Sequence, residues 1–230
     1  MSGVTVPFAD VTAVILAGGQ SSRMGSNKAL LPIRGGRIIE VIYRHLSELF
    51  AEVLLVTNHP EQYDFLSCRK VPDRFTGMGA LAGLHAGLYH ALTPHIFTVA
   101  CDMPYLDRNL IRRLVALRDQ ADVVIPVGGH GLEPLHALYA TSCLPFMEQS
   151  LLADRRRIVS FFPQVRVAQV SCQAPAAGGP GCDSFRNINT PADYYHLREE
   201  SSHKCLIKMD PVSVSDTVFP IDIHFQTAHK

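Results

Sequence analysis

An apolar run, Val11 to Leu16, passes directly into Ala17-Gly18-Gly19-Gln20-Ser21-Ser22-Arg23-Met24-Gly25-Ser26-Asn27-Lys28. A short run of this kind that stops at glycines reads as a buried strand. The loop after it joins a glycine pair, the adjacent hydroxyls of Ser21 and Ser22, an arginine and a lysine. Glycines let backbone N–H groups approach a phosphate closely, and two cations neutralise its charge. The junction points to an open α/β sheet whose first strand ends at a site for a phosphorylated ligand. A nucleoside triphosphate is its natural occupant.

Two familiar phosphate loops are excluded. A Walker A loop needs Gly and Lys adjacent, followed by Ser or Thr, whereas Gly25 and Lys28 stand apart here. The dinucleotide fingerprint Gly-x-Gly-x-x-Gly does not occur in the loop.

Strand-like and helix-like segments alternate through the next hundred or so residues. Ile38–Phe50 carries one apolar stripe at helical spacing (Ile38, Ile39, Ile42, Leu46, Leu49, Phe50). Strand patterns fall on Glu52–Thr57, Lys70–Val71, Ile96–Cys101, Asp122–Pro126 and Val165–Val170. Helix patterns fall on Pro60–Leu66, Ala80–Leu92, Asp107–Leu117 and Ser142–Ala153, with Ala80–Leu92 rich in small residues that allow close packing on a sheet. This alternation predicts a doubly wound, mostly parallel, Rossmann-like sheet with helices on both faces. His136–Ala140, after the turn Val127–Gly131, reads as a returning antiparallel strand. Pro175–Gly181 reads as a flexible loop. Thr190-Pro191-Ala192-Asp193 has the form of a helix start, with Thr190 as cap and Asp193 as its capping-box partner. One domain is expected over residues 1–200, followed by a tail, 201–230, in which only Val218–Phe225 has strand character.

Composition narrows the function. With 21 basic and 21 acidic side chains the formal charge is zero, which speaks against nucleic acid and anionic membranes as partners. No uncharged apolar run has transmembrane length, and Met1–Asp10 lacks signal-peptide character. A cytoplasmic protein is expected. The six cysteines form no CxxC pair, which disfavours zinc.

In doubly wound sheets ligands bind beyond the carboxyl ends of the strands. Gly18, Gly19, Asn58, Asp73 and Asp102 all fall at such ends. Asp102 suits Mg²⁺, which takes one or two carboxylates together with phosphates and water. The alternative is a helix cap, a role for which Asp107 is better placed. Asn58 and Asp73 offer hydrogen bonds to a nucleoside, and both also suit turns. Asn187 and Asn189 alternate along an extended segment and point to one side; turn residues ahead of a helix are the other reading. His136 fits either a pocket or a structural site. Arg155-Arg156-Arg157 follows a helix, where cations suit the negative end; contact with an anionic substrate phosphate is the alternative.

The pattern L-A-G-G-x-S-S-R-M-G-x-x-K-x-L-L resembles the signature loop of nucleotidyltransferases with a Rossmann-like sheet, and among them that of molybdenum cofactor guanylyltransferases. Cys101-Asp102-Met103-Pro104 is similar to that family's C-D-x-P, Gly79–Gly83 to its G-P-L-x-G with Ala80 in place of proline, and Asn187–Pro191 to its N-x-N-T-P. The resemblance covers about Val11 to Arg198. It implies transfer of GMP from GTP to molybdopterin, with release of pyrophosphate. It further implies Arg23, Lys28 and Asp102 as catalytic groups, with Mg²⁺ on Asp102. Nucleotide contacts are implied for Leu16, Ala17, Gly18, Gly19, Lys28, Asn58, Asp73 and Asp102, and second-substrate contacts for Asn187 and Asn189. Molybdoenzyme-maturation proteins are further expected partners. Asn27 stands where the family often has aspartate, a change that removes no cation. A cytidylyltransferase for the same cofactor, a sugar- or polyol-phosphate nucleotidyltransferase and a silent nucleotide-binding regulator are the alternatives.

Overall fold

The computed structural model describes residues 8–18, 27–33, 35–172, 183–203 and 223–226. In chain order the elements are β1 (Phe8–Leu16), β2 (Pro32–Ile33), β3 (Gly36–Arg37), α1 (Ile38–Ser47), β4 (Phe50–Val56), β5 (Arg69–Val71), α2 (Ala80–His90), β6 (His95–Ala100), α3 (Arg108–Ala116), β7 (Val123–Gly128), β8 (Gly131–Leu132), β9 (Leu138–Ala140), α4 (Leu144–Leu152), β10 (Val167–Ser171), α5 (Pro191–His203) and β11 (Ile223–Gln226). The main sheet runs β11-β10-β7-β9-β6-β1-β4-β5, with β8 paired to β7.

β1 lies at the centre of the parallel part, in register with β4 on one side (Leu16 opposite Val56) and β6 on the other (Leu16 opposite Ala100). β5 continues this part beyond β4, and β7 and β10 also pair in parallel. β9 is the returning strand and runs antiparallel to both β6 and β7. Three strands of the parallel part therefore end together at Leu16, Val56 and Ala100, which places the loops after them on one rim.

The side-chain period of two sorts β1 between two cores. Val11, Ala13 and Ile15 pack with α1 and α3, whereas Val14 and Leu16 pack with α2 and α4. The small residues of α2 allow the close approach expected of them. A Cβ built on Gly87 would lie 2.6 Å from Val14 Cγ1.

The apolar stripe of Ile38–Phe50 spans two elements. α1 stops at Ser47, and Phe50 opens β4 with its ring buried. A buried residue serves a helix stripe and a strand face equally, so periodicity alone could not divide them. The hairpin β2–β3 is signalled in the sequence by the pair Gly35-Gly36, both of which take positive φ at its turn. At the far edge, Ile223–Gln226 pairs antiparallel with β10. The chain after Arg198 thus returns to the sheet, and α5 runs through residue 200 to His203. Residues 173–182, which include the loop expected at Pro175–Gly181, lie outside the described residues, as do Val218–Ile221 and Asp222.

Candidate functional site

The rim of the parallel strands carries two groups of side chains. One gathers at the ends of β4 and β5. Ala17 N–H donates to Val56 C=O (2.9 Å), and Thr57 N–H donates to Val71 C=O (2.9 Å), so the chain leaves these strands side by side. Asn58 then accepts the Asp73 N–H at its Oδ1 (2.9 Å). The Asp73 carboxylate reaches back towards β1. A Cβ on Gly18 would lie 3.8 Å from Asp73 Oδ2, and one on Gly83 3.6 Å from Asp73 Oδ1. Asp73 Oδ1 is buried and has no hydrogen-bond partner among the described residues. Burial raises the Asp73 pKa, opposed by its hydrogen bond with Asn58. A buried acceptor without a donor is uncommon in a finished fold, and it fits a ligand that brings an N–H or O–H.

Gly83, near the start of α2, closes the Gly79–Gly83 motif, for which sequence reasoning named no contact. Its signal was present in the small-residue pattern, but only the fold places it against Asp73. Gly77 and Gly79 also have a backbone reason. Both take positive φ in the turn entering α2, a conformation that side chains with a Cβ rarely adopt.

The second group forms where β1 and β6 end. Leu16 C=O accepts the Cys101 N–H (3.1 Å), which fixes Cys101-Asp102 directly beside the start of the glycine loop. Burial raises the Asp102 pKa, and the Lys28 ammonium opposes that rise. Burial also pushes the Cys101 thiol up to about 12, with the Asp102 charge adding to the effect. Cys101 is therefore an inert neighbour packed against the core. Asp107, as expected, caps α3: its Oδ1 accepts from the N–H groups of Asn109 (2.8 Å) and Leu110 (3.3 Å). That leaves the Asp102 carboxylate outside any helix cap.

Asn187-Ile188-Asn189 closes this end. Ile188 is buried and its N–H donates to Asp102 C=O (3.0 Å), while Asn187 and Asn189 are exposed. Lys28 Nζ donates to Asn189 Oδ1 (3.1 Å). The capping box at the start of α5 is formed: Asp193 N–H donates to Thr190 Oγ1 (3.2 Å), and Asp193 Oδ2 accepts from Thr190 N–H (2.7 Å) and Asn189 N–H (2.9 Å). Lys28, Asp102 and Asn189 thus meet, although they lie far apart in the chain. Gly19 and Arg23 lie outside the described residues.

Two further candidates resolve differently. His136 is fully buried, with its ring edge-on to Phe97 (5.1 Å) and Phe185 (5.4 Å). Burial lowers its pKa to about 3, so it is a neutral core ring. Arg155, Arg156 and Arg157 are exposed beyond the end of α4, and Arg156 Nε donates to Asp154 Oδ1 (2.7 Å).

Among the described residues no group of three His, Cys, Asp or Glu side chains could hold a metal ion unaided. The donor set fits Mg²⁺ nonetheless. It offers one hard carboxylate, Asp102, and Mg²⁺ in nucleotide enzymes is ordinarily held by one or two carboxylates together with substrate phosphates and waters.

A model of the MobA-like NTP transferase domain matches residues 13–169. A probable molybdenum cofactor guanylyltransferase from Carboxydothermus hydrogenoformans is 37% identical over 188 residues, 82% of this chain and 95% of that protein. One from Pelotomaculum thermopropionicum is 39% identical over 187 residues, 81% and 91% of the two chains. Among solved structures, molybdopterin-guanine dinucleotide biosynthesis protein A from Archaeoglobus fulgidus superposes with a TM-score of 0.73 at 26% identity, covering 84% of this chain and all of that one.

Proposed function

The chain belongs to the MobA-like NTP transferase family, and from that premise we propose that it transfers GMP from GTP to molybdopterin, giving the guanine dinucleotide cofactor and pyrophosphate. The observation that carries the proposal is the meeting of Lys28, Asp102 and Asn189 on the rim where β1 and β6 end. It is supported by a second group, Asn58 and Asp73, at the ends of β4 and β5.

The reaction joins two anions. A terminal phosphate of the acceptor attacks the α-phosphorus of GTP, the new P–O bond forms, and the bond to the β-phosphate breaks with pyrophosphate carrying off the electron pair. The acceptor phosphate is ionised at neutral pH, so no general base is needed. The protein has to align the partners and compensate charge. In this reading Asp73 and Asn58 hold the nucleoside. Gly18 leaves room for it to approach Asp73, and the backbone of Leu16, Ala17 and Gly19 borders it. Lys28 brings positive charge to the reacting phosphates, and Arg23 steadies the departing pyrophosphate. Asn187 and Asn189 orient the acceptor. Asp102 would hold Mg²⁺, which supplies Lewis-acid neutralisation of phosphate charge when bound.

The proposal extends to a cytoplasmic site of reaction and to hand-over of the product to molybdoenzyme-maturation proteins. No helix among the described residues is long and apolar enough to cross a membrane. The test is incubation with Mg²⁺, molybdopterin and each labelled nucleoside triphosphate, with detection of pyrophosphate. GTP should give pyrophosphate and a labelled dinucleotide. Product from CTP in its place would make the chain a cytidylyltransferase, and binding without turnover would make it a regulator.

A further inference from the structure

Lys28 is held in place by the residue before it. Asn27 is extended (φ −67°, ψ 106°) and caps the 3-10 turn Lys28–Leu30, its Oδ1 accepting from Ala29 N–H (3.2 Å). Its Nδ2 donates to both Gln62 Oε1 (2.8 Å) and Tyr63 OH (2.8 Å). Both amide N–H groups and the carbonyl oxygen of one side chain are therefore engaged. The partners differ in character. Gln62 is exposed, whereas Tyr63 is buried at the end of the 3-10 turn Pro60–Tyr63, packed in the core that also holds Leu66 and α1. That turn follows β4 and Asn58.

We propose that Asn27 is a positioning residue: through Gln62 and Tyr63 it ties the backbone of Lys28 to the β4 side of the cleft and so sets where the ammonium meets the triphosphate. A lysine side chain is long and freely rotating, so its reach is decided by where its backbone is held. The Leu30 N–H to Asn27 C=O bond (3.0 Å) and the Leu31 N–H to Lys28 C=O bond (3.1 Å) fix the turn internally. Ala29 is buried in the core below, and among the described residues the Asn27 side chain supplies the hydrogen bonds that join the turn to Pro60–Tyr63. The proposal rests on the assignment of Lys28 to the triphosphate.

The aspartate that the resembling family often carries here keeps the clamp by a different pattern. A carboxylate accepts from Ala29 N–H and from Tyr63 OH, and Gln62 turns its amide to donate. Alanine has neither function and leaves the Tyr63 hydroxyl without its partner.

A double-mutant cycle reads the role. Affinities for GTP and for guanosine, which has no phosphates, are measured on the wild-type chain, Asn27→Ala, Lys28→Ala and the double variant. Asn27→Ala should weaken GTP by about tenfold in the wild-type background and by less than about twofold once Lys28 is gone. Guanosine affinity should change by less than about twofold throughout, and Asn27→Asp should keep GTP within about threefold of wild type. Tyr63→Phe keeps the buried ring and removes one partner; its smaller loss of GTP affinity should also vanish without Lys28, and it serves if the alanine variant does not fold. An equal loss in the Lys28→Ala background, or an equal loss for guanosine, would make Asn27 a loop staple and overturn the proposal. A wild-type chain that takes another nucleoside triphosphate in place of GTP would overturn the base assignment alone, and the cycle is then run with that nucleotide.

Discussion

At the scale of single residues the rim carries a burial cost at Asp102. Burial raises the Asp102 pKa, so the folded chain holds that proton more tightly than the unfolded one. Stability from this group is therefore greatest below the unfolded value of about 3.9, falls as pH rises through the raised folded value, and stays reduced above it. Asp102→Asn should melt at a higher temperature than wild type near neutral pH, with the gap closing towards about pH 4. The same variant should lose at least about a hundredfold in transfer rate. Thermal melts across pH and the pyrophosphate assay check the two halves; a variant that keeps its rate would remove Asp102 from the chemistry. The asparagines make a second case. Sequence reasoning placed Asn187 and Asn189 together on the acceptor side, whereas Asn189 accepts a hydrogen bond from Lys28. Asn189→Ala should therefore disturb both ligands, and Asn187→Ala only molybdopterin, each by roughly two- to tenfold for a hydrogen bond of about 0.5–1.5 kcal/mol. Separate titrations of GTP and molybdopterin decide it. Equal behaviour of the two variants would mean that the Lys28 contact has no bearing on binding.

Among the elements, α2 shows most clearly how packing overrides propensity. Glycine in a helix interior costs about 1 kcal/mol relative to alanine, yet Gly87 sits in the middle of α2 because a Cβ there would lie 2.6 Å from Val14 Cγ1. Gly87→Ala should thus destabilise the fold by about 1–3 kcal/mol by forcing α2 off β1, measured by denaturant unfolding. A stabilised variant would show that helix and sheet have slack between them. α2 enters from the turn that carries Gly77 and Gly79, and its Gly83 faces Asp73. A shift of the helix axis should therefore be felt at Asp73 before it is felt at Lys28.

Across the whole molecule the site and the C-terminal strand lie in different regions of one sheet. The candidate residues cluster around β5, β4, β1 and β6, while β11 closes the opposite edge on β10. Removal of residues 204–230 should leave GTP affinity within about twofold, since no described contact links β11 to the cleft. It should also lower the melting temperature by uncovering the β10 edge, which exposes unpaired backbone groups. Calorimetric titration and a thermal melt of the truncated chain report these separately. A loss of GTP binding with the fold intact would show that the C-terminal segment serves the site.

Some of this was legible in the sequence because it depends on local pattern. The order of strands and helices follows from periodicity. The cap of α3 at Asp107 and the capping box at Thr190 and Asp193 follow from residue types at fixed spacing. The division of Ile38–Phe50 between α1 and β4 was not legible, because a buried phenylalanine satisfies either element. The pairing of Ile223–Gln226 with β10 was not legible either, since a lone short strand has no local feature that names its partner. Tertiary structure alone decided which chemistry-bearing residues meet. Lys28, Asp102 and Asn189 come from three distant stretches of chain, and parallel strands that end in register carry them to one rim. Local propensity acts over a few residues, whereas that convergence is a property of the whole sheet.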